Sequence, residues 1–307
     1  MSYIYEALLR AERERQSNPP SLEEQKTVPL PNEGIADYVP AQSHVEPESI
    51  AQHDWNPFVP SFPTLAKHGR GLEQFRSLRS HIYQARNETP LKTILVSSGM
   101  PSEGKSFVTA NLAMSLARNS SNQILLIDGD LRRPSLNHLL GAPNEVGLSD
   151  YLAGTADLHA IMQRCSNRDA NDGNGAPDLG NLTFIPTGTL QENASELITN
   201  QRIKELISRV SASFDWVLID SPPVLVFSDA VDLARAVDAV LLVVRGAQTT
   251  YEVAQRAKSS FVNSRILGVV LNDIKNPPRR ESYYNYYYYG KQDTAGALAN
   301  ASKQEVK

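Results

Sequence analysis

The sequence predicts an α/β domain: a doubly wound, mostly parallel sheet with helices on both faces, flanked by two arms of different character. Three observations predict it. Short runs that are apolar on both faces, such as "TILVSS", "ILLID" and "AVLLVV", alternate with amphipathic segments of helix length. A glycine-bearing stretch ending in Gly-Lys-Ser follows the first of those runs directly. Two later runs close on aspartate, so acidic groups gather where parallel strands end.

Bulk composition sets the limits. The 307 residues are 41% hydrophobic and 21% charged, enough apolar material for a sizeable core with some chain left over. A net charge of −4 gives no general affinity for nucleic acid or for an anionic membrane. Cys165 is the sole cysteine, so no internal disulfide can form, and a reducing cytosol is the natural compartment. No run approaches the roughly 18–20 apolar residues of a membrane helix. The start, "MSYIYEALLRAERERQ", lacks the basic region, apolar centre and cleavage site of a signal peptide.

Along the chain, residues 1–16 hold a short amphipathic helix with Ile4, Leu8 and Ala11 on one face. It is either a docking element or a frayed end. Residues 17–66 carry about half of the 19 prolines and no sustained apolar period, which predicts an extended or disordered linker. The domain runs over 67–275. It opens with a helix over 70–86 and a strand in "LKTILVSS". Further strands are expected in "NQILLID", "LTFIPTG", "DWVLIDSPP", "AVLLVV" and "ILGVVLND". Helices are expected in "SELITNQRIKELISRVSASF", "SDAVDLARAVD" and "TYEVAQRAKSSFV", and residues 167–181 read as a polar surface loop. Residues 276–307 form a tail without apolar period, and six of the seven residues from 283 to 289 are tyrosine.

Residues 99–106, "GMPSEGKS", fit G-x-x-x-x-G-K-S between a strand and a helix. Gly99 and Gly104 let the backbone curl so that its amides face an anion, and the next helix adds its positive end. Lys105 is placed to reach the β- and γ-phosphates of a nucleotide, and the Ser106 hydroxyl to ligate Mg²⁺. Ser102, Glu103 and Phe107 complete the expected nucleotide contacts of this loop. Asp128 and Asp130 end one strand and Asp220 another, and strand-end carboxylates of a parallel sheet converge on a ligand at that edge. Asp220 reads as a metal support, direct or through water. Of Asp128 and Asp130, at most one needs to touch metal, and the other can take a proton from an attacking hydroxyl.

These motifs resemble those of the bacterial tyrosine kinases (BY-kinases) of capsule and exopolysaccharide assembly, which use phosphate-loop NTPase machinery. "GMPSEGKS" is similar to their Walker A motif, "ILLIDGDLRRP" to Walker A′ and "VLIDSPP" to Walker B. "EQFRSLR" is similar to their E-x-x-R-x-x-R helix, and the tail to their tyrosine cluster. The resemblance covers about 67–290. It implies ATP and Mg²⁺ as cofactors, with Lys105 on the γ-phosphate and Ser106 on the metal. Asp128 becomes the base or orienter for a tyrosine hydroxyl, itself near the metal, with Asp130 and Asp220 supporting. Asn272 falls where related ATPases meet adenine, or it is a strand-end cap. Glu73, Arg76 and Arg79 imply ring-like self-assembly, or else a solvated helix face. Tyr283, Tyr284, Tyr286, Tyr287, Tyr288 and Tyr289 become phosphoacceptors, modified in trans.

The resemblance further implies a separate membrane activator of the chain-length-determinant type, since no spanning segment is present, and a cognate phosphatase. The chain would then sit in the cytoplasm at the inner face of the plasma membrane. Two other readings compete. A positioning ATPase of the MinD/ParA type shares the sheet and acids, but Met100 stands where such proteins carry a lysine after the first loop glycine. A non-catalytic, nucleotide-gated scaffold would use the tail for stacking. Nucleic acid is not expected as its partner, because interleaved basic residues are few.

Overall fold

The computed structural model describes residues 45–66, 68–166, 179–189, 194–199 and 201–274. The helix expected at 1–16, most of the 167–181 loop and the tyrosine tail lie outside the described residues.

Among these residues an eight-stranded sheet forms, built from β1 (Gln52–His53), β2 (Thr93–Ser98), β3 (Ile124–Asp128), β4 (Gln163–Cys165), β5 (Leu182–Ile185), β6 (Trp216–Asp220), β7 (Ala239–Arg245) and β8 (Ile266–Asn272). Its order is β1-β4-β5-β3-β6-β2-β7-β8, and every neighbouring pair is parallel except β4 and β5. The central strands β2, β3 and β6 are buried along their whole length, as the consecutive Val/Ile/Leu residues at their centres require of strands covered on both faces. Two apolar cores result, one per face. One gathers Leu95, Ile127, Leu206, Val217 and Leu242, and the other Ile94, Val96, Leu112, Leu126 and Leu218. Successive residues of one strand divide between them, which is the period of two of a β-strand.

The helices are α1 (Arg70–Glu88), α2 (Lys105–Ala117), α3 (Leu136–Leu140), α4 (Leu148–Ala153), α5 (Ala194–Thr199), α6 (Gln201–Ser213), α7 (Asp229–Ala234) and α8 (Tyr251–Ser260). In α6, Ile203, Leu206, Ile207 and Val210 lie at three- and four-residue spacing and are all buried. α2 is different. Its last ten residues are all buried, and its small side chains let it sit close to the sheet with the phosphate loop at its start. The long helix expected over "SELITNQRIKELISRVSASF" is described as α5 and α6, with residue 200 outside the described residues.

One expectation is corrected. The linker assigned to 17–66 is packed over its last part. Residues 45–66 cross the β4 edge of the sheet and run to α2 as short 3₁₀ turns, Pro47–Ser49, Val59–Ser61 and Pro63–Leu65, with β1 between the first two. The prolines suit these turns, because each sits in the first turn, where a missing N–H costs nothing. Trp55 and Phe62 are buried. Trp55 meets Phe184 edge-on at 6.0 Å, and its indole N–H donates to Gln163 Oε1 at 3.1 Å. The Asn56 and Phe58 amides donate to the Gly141 and Leu139 carbonyls at 3.2 and 3.0 Å, and the Thr64 hydroxyl to Asn111 Oδ1 at 2.8 Å. The end of the 167–181 loop is also packed. Leu179 is buried, and Asn181 Nδ2 donates to the carbonyls of Ala117, Asn119 and Asn122 at 2.9, 3.1 and 2.8 Å, closing the turn after α2.

Candidate active site

The strand order places the chemistry. β2 delivers the phosphate loop, its neighbour β6 ends in Asp220, and β3, on the far side of β6, ends in Asp128, which faces Asp220 in register. The loop leaves β2 at Ser98 and reaches α2 through Gly104, whose φ of +92° is a left-handed conformation suited to glycine. A Cβ on Gly104 would fall 2.0 Å from Asn272 Nδ2, so any other residue would have to displace Asn272 as well as bear the strained φ. Asn272 donates to the Glu103 carbonyl at 3.0 Å. The Glu103 carboxylate is buried and turned into the loop, where it accepts from the Met100 amide at 2.7 Å and from the Thr249 hydroxyl. The loop is therefore braced from behind, and the positive end of α2 opens toward its concave side.

The charged groups meet at the start of α2. Lys105 Nζ lies 2.9 Å from Asp130 Oδ2 and 3.6 Å from Asp220 Oδ2. The Ser106 hydroxyl donates to Asp220 Oδ2 at 2.5 Å, and Thr109 Oγ1 lies 3.4 Å from Asp220 Oδ1. Asp128 Oδ2 accepts from the Ser135 and Leu136 amides at 3.1 and 3.0 Å, and Asp130 Oδ1 from the Arg133 amide at 3.0 Å. Gly129 separates the pair because a Cβ there would come 2.6 Å from the Asp220 carbonyl.

Burial and these charges set the proton affinities. Asp128 is pushed up to about 7, first by loss of water and then by the charge of Asp220, against the pull of its two amide donors. Asp220 is also raised by burial, although Lys105 and Ser106 oppose the shift. Burial alone would lower Lys105, but the charges of Asp220, Asp130 and Asp128 outweigh it, and the ammonium is held more firmly protonated. The set is one hydroxyl, carboxylates and a fixed cation. Such hard oxygen donors fit Mg²⁺, which keeps several waters and takes one or two protein ligands beside phosphate oxygens. Ser106 Oγ and Asp220, already in contact, are the pair that would hold it.

Beside the loop lies a cleft of about 790 Å³ between α1, the loop and β8, within the usual size of small-molecule sites. Phe75, Ser102, Gly104, Phe107, Arg245 and Asn272 are among its lining residues, and Phe75 meets Phe107 edge-on at 5.9 Å.

The structure thus brings together Gly99, Ser102, Glu103, Gly104, Lys105, Ser106, Asp128, Asp130 and Asp220, with Phe107 and Asn272 on the cleft wall. Glu73, Arg76 and Arg79 lie apart on α1. Arg76 pairs with Glu73 at 2.5 Å, and Arg79 Nη1 donates to the Ser115 carbonyl of α2 at 2.5 Å. The six tail tyrosines lie outside the described residues. Sequence reasoning missed Thr109, Thr249, Arg245 and the Ser135 and Leu136 amides. Only Thr109 left a local signal, one helical turn after Lys105, whose carbonyl accepts from its hydroxyl at 2.8 Å.

Comparison with known proteins gives the family. A family described as ParA, NUBPL iron-transfer P-loop NTPase, matches residues 90–304. Iron–sulfur clusters are held by several thiolates, and this chain has one cysteine. Tyrosine-protein kinase YwqD of Bacillus subtilis is 31% identical over 223 residues, which is 72% of this chain and 87% of that protein. Tyrosine-protein kinase wzc of Salmonella typhimurium is 34% identical over 223 residues, but the chain spans only 29% of its length. The solved kinase domain of Escherichia coli tyrosine kinase ETK is 32% identical, with a TM-score of 0.58 over 67% of this chain and 77% of that one. The chimerical protein CapA2B2 has a TM-score of 0.63 at 26% identity, over 74% and 93%. With the fold, the loop and the paired strand-end acids in place, the chain belongs to the ParA family of P-loop NTPases and, within it, to the bacterial tyrosine-protein kinases.

Proposed function

We propose that the chain is an ATP-dependent protein-tyrosine autokinase. It phosphorylates Tyr283, Tyr284 and Tyr286–Tyr289 of a neighbouring copy and thereby regulates capsular or exopolysaccharide polymerisation or export. The observation that carries this reading is the convergence of Lys105, Asp128, Asp130 and Asp220 beside a phosphate loop, with Asp128 titrating at about 7. A group that changes charge near the working pH is matched to proton transfer. Free tyrosine titrates near 10, so the phenol needs such a partner.

In this scheme Asp128 takes the phenolic proton as the phenol oxygen bonds to the γ-phosphorus and ADP departs with the bridging oxygen. Lys105 and the loop amides stabilise the charge that builds on the transferred group. Asp130 and Asp220 fix Lys105 and Ser106. Mg²⁺, when bound, supplies further positive charge at the phosphates. The cleft beside Phe107 and Asn272 takes the base. Glu73, Arg76 and Arg79 build a ring that presents one copy's tail to the next. A separate membrane activator keeps the chain at the cytoplasmic face of the membrane, and a phosphatase reverses the modification. Each phosphate adds about −1.5 to −2 charge, so a filled tail would loosen the ring.

The test is intact-mass analysis after incubation with Mg-ATP. Wild type should gain several phosphates on tyrosine, Lys105→Met none, and a tail with phenylalanine at the six positions none in that segment. Hydrolysis without phosphotyrosine would favour the positioning ATPase instead.

A further inference from the structure

The outer side of the phosphate loop is gripped by a corner of the sheet that takes no part in the phosphoryl transfer above. β7 ends at Arg245 and β8 at Asn272, paired in register, and the Gly246 amide donates to the Asn272 carbonyl at 2.7 Å. Three groups reach the loop from this corner. Arg245 Nη1 donates to the Ser102 carbonyl at 3.3 Å, the Thr249 hydroxyl to the Glu103 carboxylate, and Asn272 Nδ2 to the Glu103 carbonyl at 3.0 Å. Arg245 is the hub. Its Nε and Nη2 donate to Asp273 Oδ2 at 2.9 and 2.8 Å, and its backbone amide to Thr249 Oγ1 at 2.9 Å.

The backbone marks the same corner. Ser102, Ala247 and Asp273, with φ of 64°, 58° and 52°, are the non-glycine residues with positive φ among those described, and all three belong to it. Such conformations persist only where their surroundings over-determine them, and they cluster at working sites. A plain structural patch is the bland alternative. Against it, the Arg245 and Asp273 side chains are 33% and 39% exposed, and exposed ion pairs add little to global stability. A contact that contributes little to folding yet fixes the anion-binding loop is placed to tune binding.

We infer that Arg245 and Asp273 are positioning residues for the phosphate loop. Asp273 orients the Arg245 guanidinium, and Arg245 holds the Ser102 carbonyl outward, which leaves the loop's N–H groups to the anion. Asp273 stands two residues before Lys275, from which the chain leads on to Tyr283. The clamp therefore ties the root of the acceptor segment to the nucleotide site. By linkage, whatever displaces Asp273 weakens nucleotide binding, and nucleotide steadies Asp273 by the same factor. The inference rests on the nucleotide-binding part of the proposed function.

The experiment is Mg-ADP titration of the full chain by calorimetry, with thermal unfolding recorded beside it. Arg245→Ala is expected to weaken binding about tenfold and Asp273→Asn about threefold. Because Asp273 acts through Arg245, the double variant should bind like Arg245→Ala, about tenfold weaker rather than about thirtyfold. Arg245→Lys keeps the charge but cannot bridge Ser102 and Asp273, so it should also lose threefold or more, and it serves if the alanine variant folds poorly. At saturating Mg-ADP, tryptic cleavage after Lys275 should slow in wild type and not in Arg245→Ala. Wild-type affinity in both single variants, a double variant that multiplies the two losses, or equal slowing of cleavage in both chains would overturn the clamp. So would affinity losses that track a fall in melting temperature. A wild-type chain that binds no nucleotide would overturn the reading beneath it, whereas wild-type binding with unchanged variants overturns the clamp alone.

Discussion

Replacing Asp128 with asparagine should stabilise the nucleotide-free, metal-chelated protein at pH 8 while ending phosphotransfer. An ordinary aspartate titrates at 3.8, and Asp128 at about 7. Between those values the folded chain holds a proton that the unfolded chain has released. This group's contribution to stability therefore falls as pH rises from about 4 to about 7 and stays low above that. Holding that proton up to about pH 7 rather than 3.8, at about 1.36 kcal/mol per pH unit, sets a ceiling near 4 kcal/mol. Asparagine removes the buried charge beside Asp220. Its carbonyl oxygen can keep the Ser135 and Leu136 amides, while its NH₂ group meets the Asp130 amide, which lies 3.3 Å from Oδ1. That conflict leaves a gain of about 1–3 kcal/mol at pH 8, or about 3–8 °C in a domain of this size. At pH 5 the wild-type group is already protonated, and the two proteins should agree within about 1 kcal/mol. Thermal and urea unfolding at both pH values in EDTA measure this. An Asp128→Asn variant no more stable than wild type at pH 8, or equally stabilised at both pH values, would refute the reasoning.

Three further perturbations separate parts of the account. Phe62→Ala empties a buried site under the 45–66 segment and should cost about 3–5 kcal/mol in urea unfolding, against almost nothing for a disordered linker. Gly104→Ala places a methyl group 2.0 Å from Asn272 Nδ2 at a φ of +92°, so calorimetry should show nucleotide binding weakened at least about tenfold, with a melting point lower by a few degrees. The Glu73–Arg76 pair is surface-exposed, so Glu73→Ala with Arg76→Ala should leave the melting point within about 2 °C and shift the oligomeric state by light scattering. Arg79→Ala, which also frees the Ser115 carbonyl, should lower both.

The strands and the phosphate loop were legible because their signals are local. "TILVSS" and "ILLID" carry consecutive aliphatic residues that face both sides of the sheet, and Gly104 precedes a Lys-Ser pair at a strand-to-helix junction. The facing of Asp128 and Asp220 was less so. It depends on β6 inserting between β3 and β2, which no stretch of sequence encodes by itself. The 45–66 segment misled for a physical reason. Trp55 and Phe62 join one apolar core but stand seven residues apart with no helix or strand period between them, and the prolines that suit 3₁₀ turns equally suit an extended linker. Glu103 showed the same gap. As part of the loop it reads as a nucleotide contact, yet its carboxylate turns inward to Met100 and Thr249, and its partner lies 146 residues along the chain. Arg245 ends an ordinary buried strand, and only the return of β8 beside β7 reveals its reach to Ser102.

The central claim is transfer from this site to a neighbour's tail, and mixing two disabled chains tests it most directly. One chain carries Lys105→Met with its six tail tyrosines intact. The other has an intact site and phenylalanine at positions 283, 284 and 286–289. With Mg-ATP, phosphotyrosine should appear on the Lys105→Met chain, in the 283–289 segment, only when both are present. If that chain stays unmodified in the mixture while wild type alone is phosphorylated, transfer between copies is wrong. If neither the mixture nor wild type yields phosphotyrosine while ATP is hydrolysed, the kinase reading itself is contradicted.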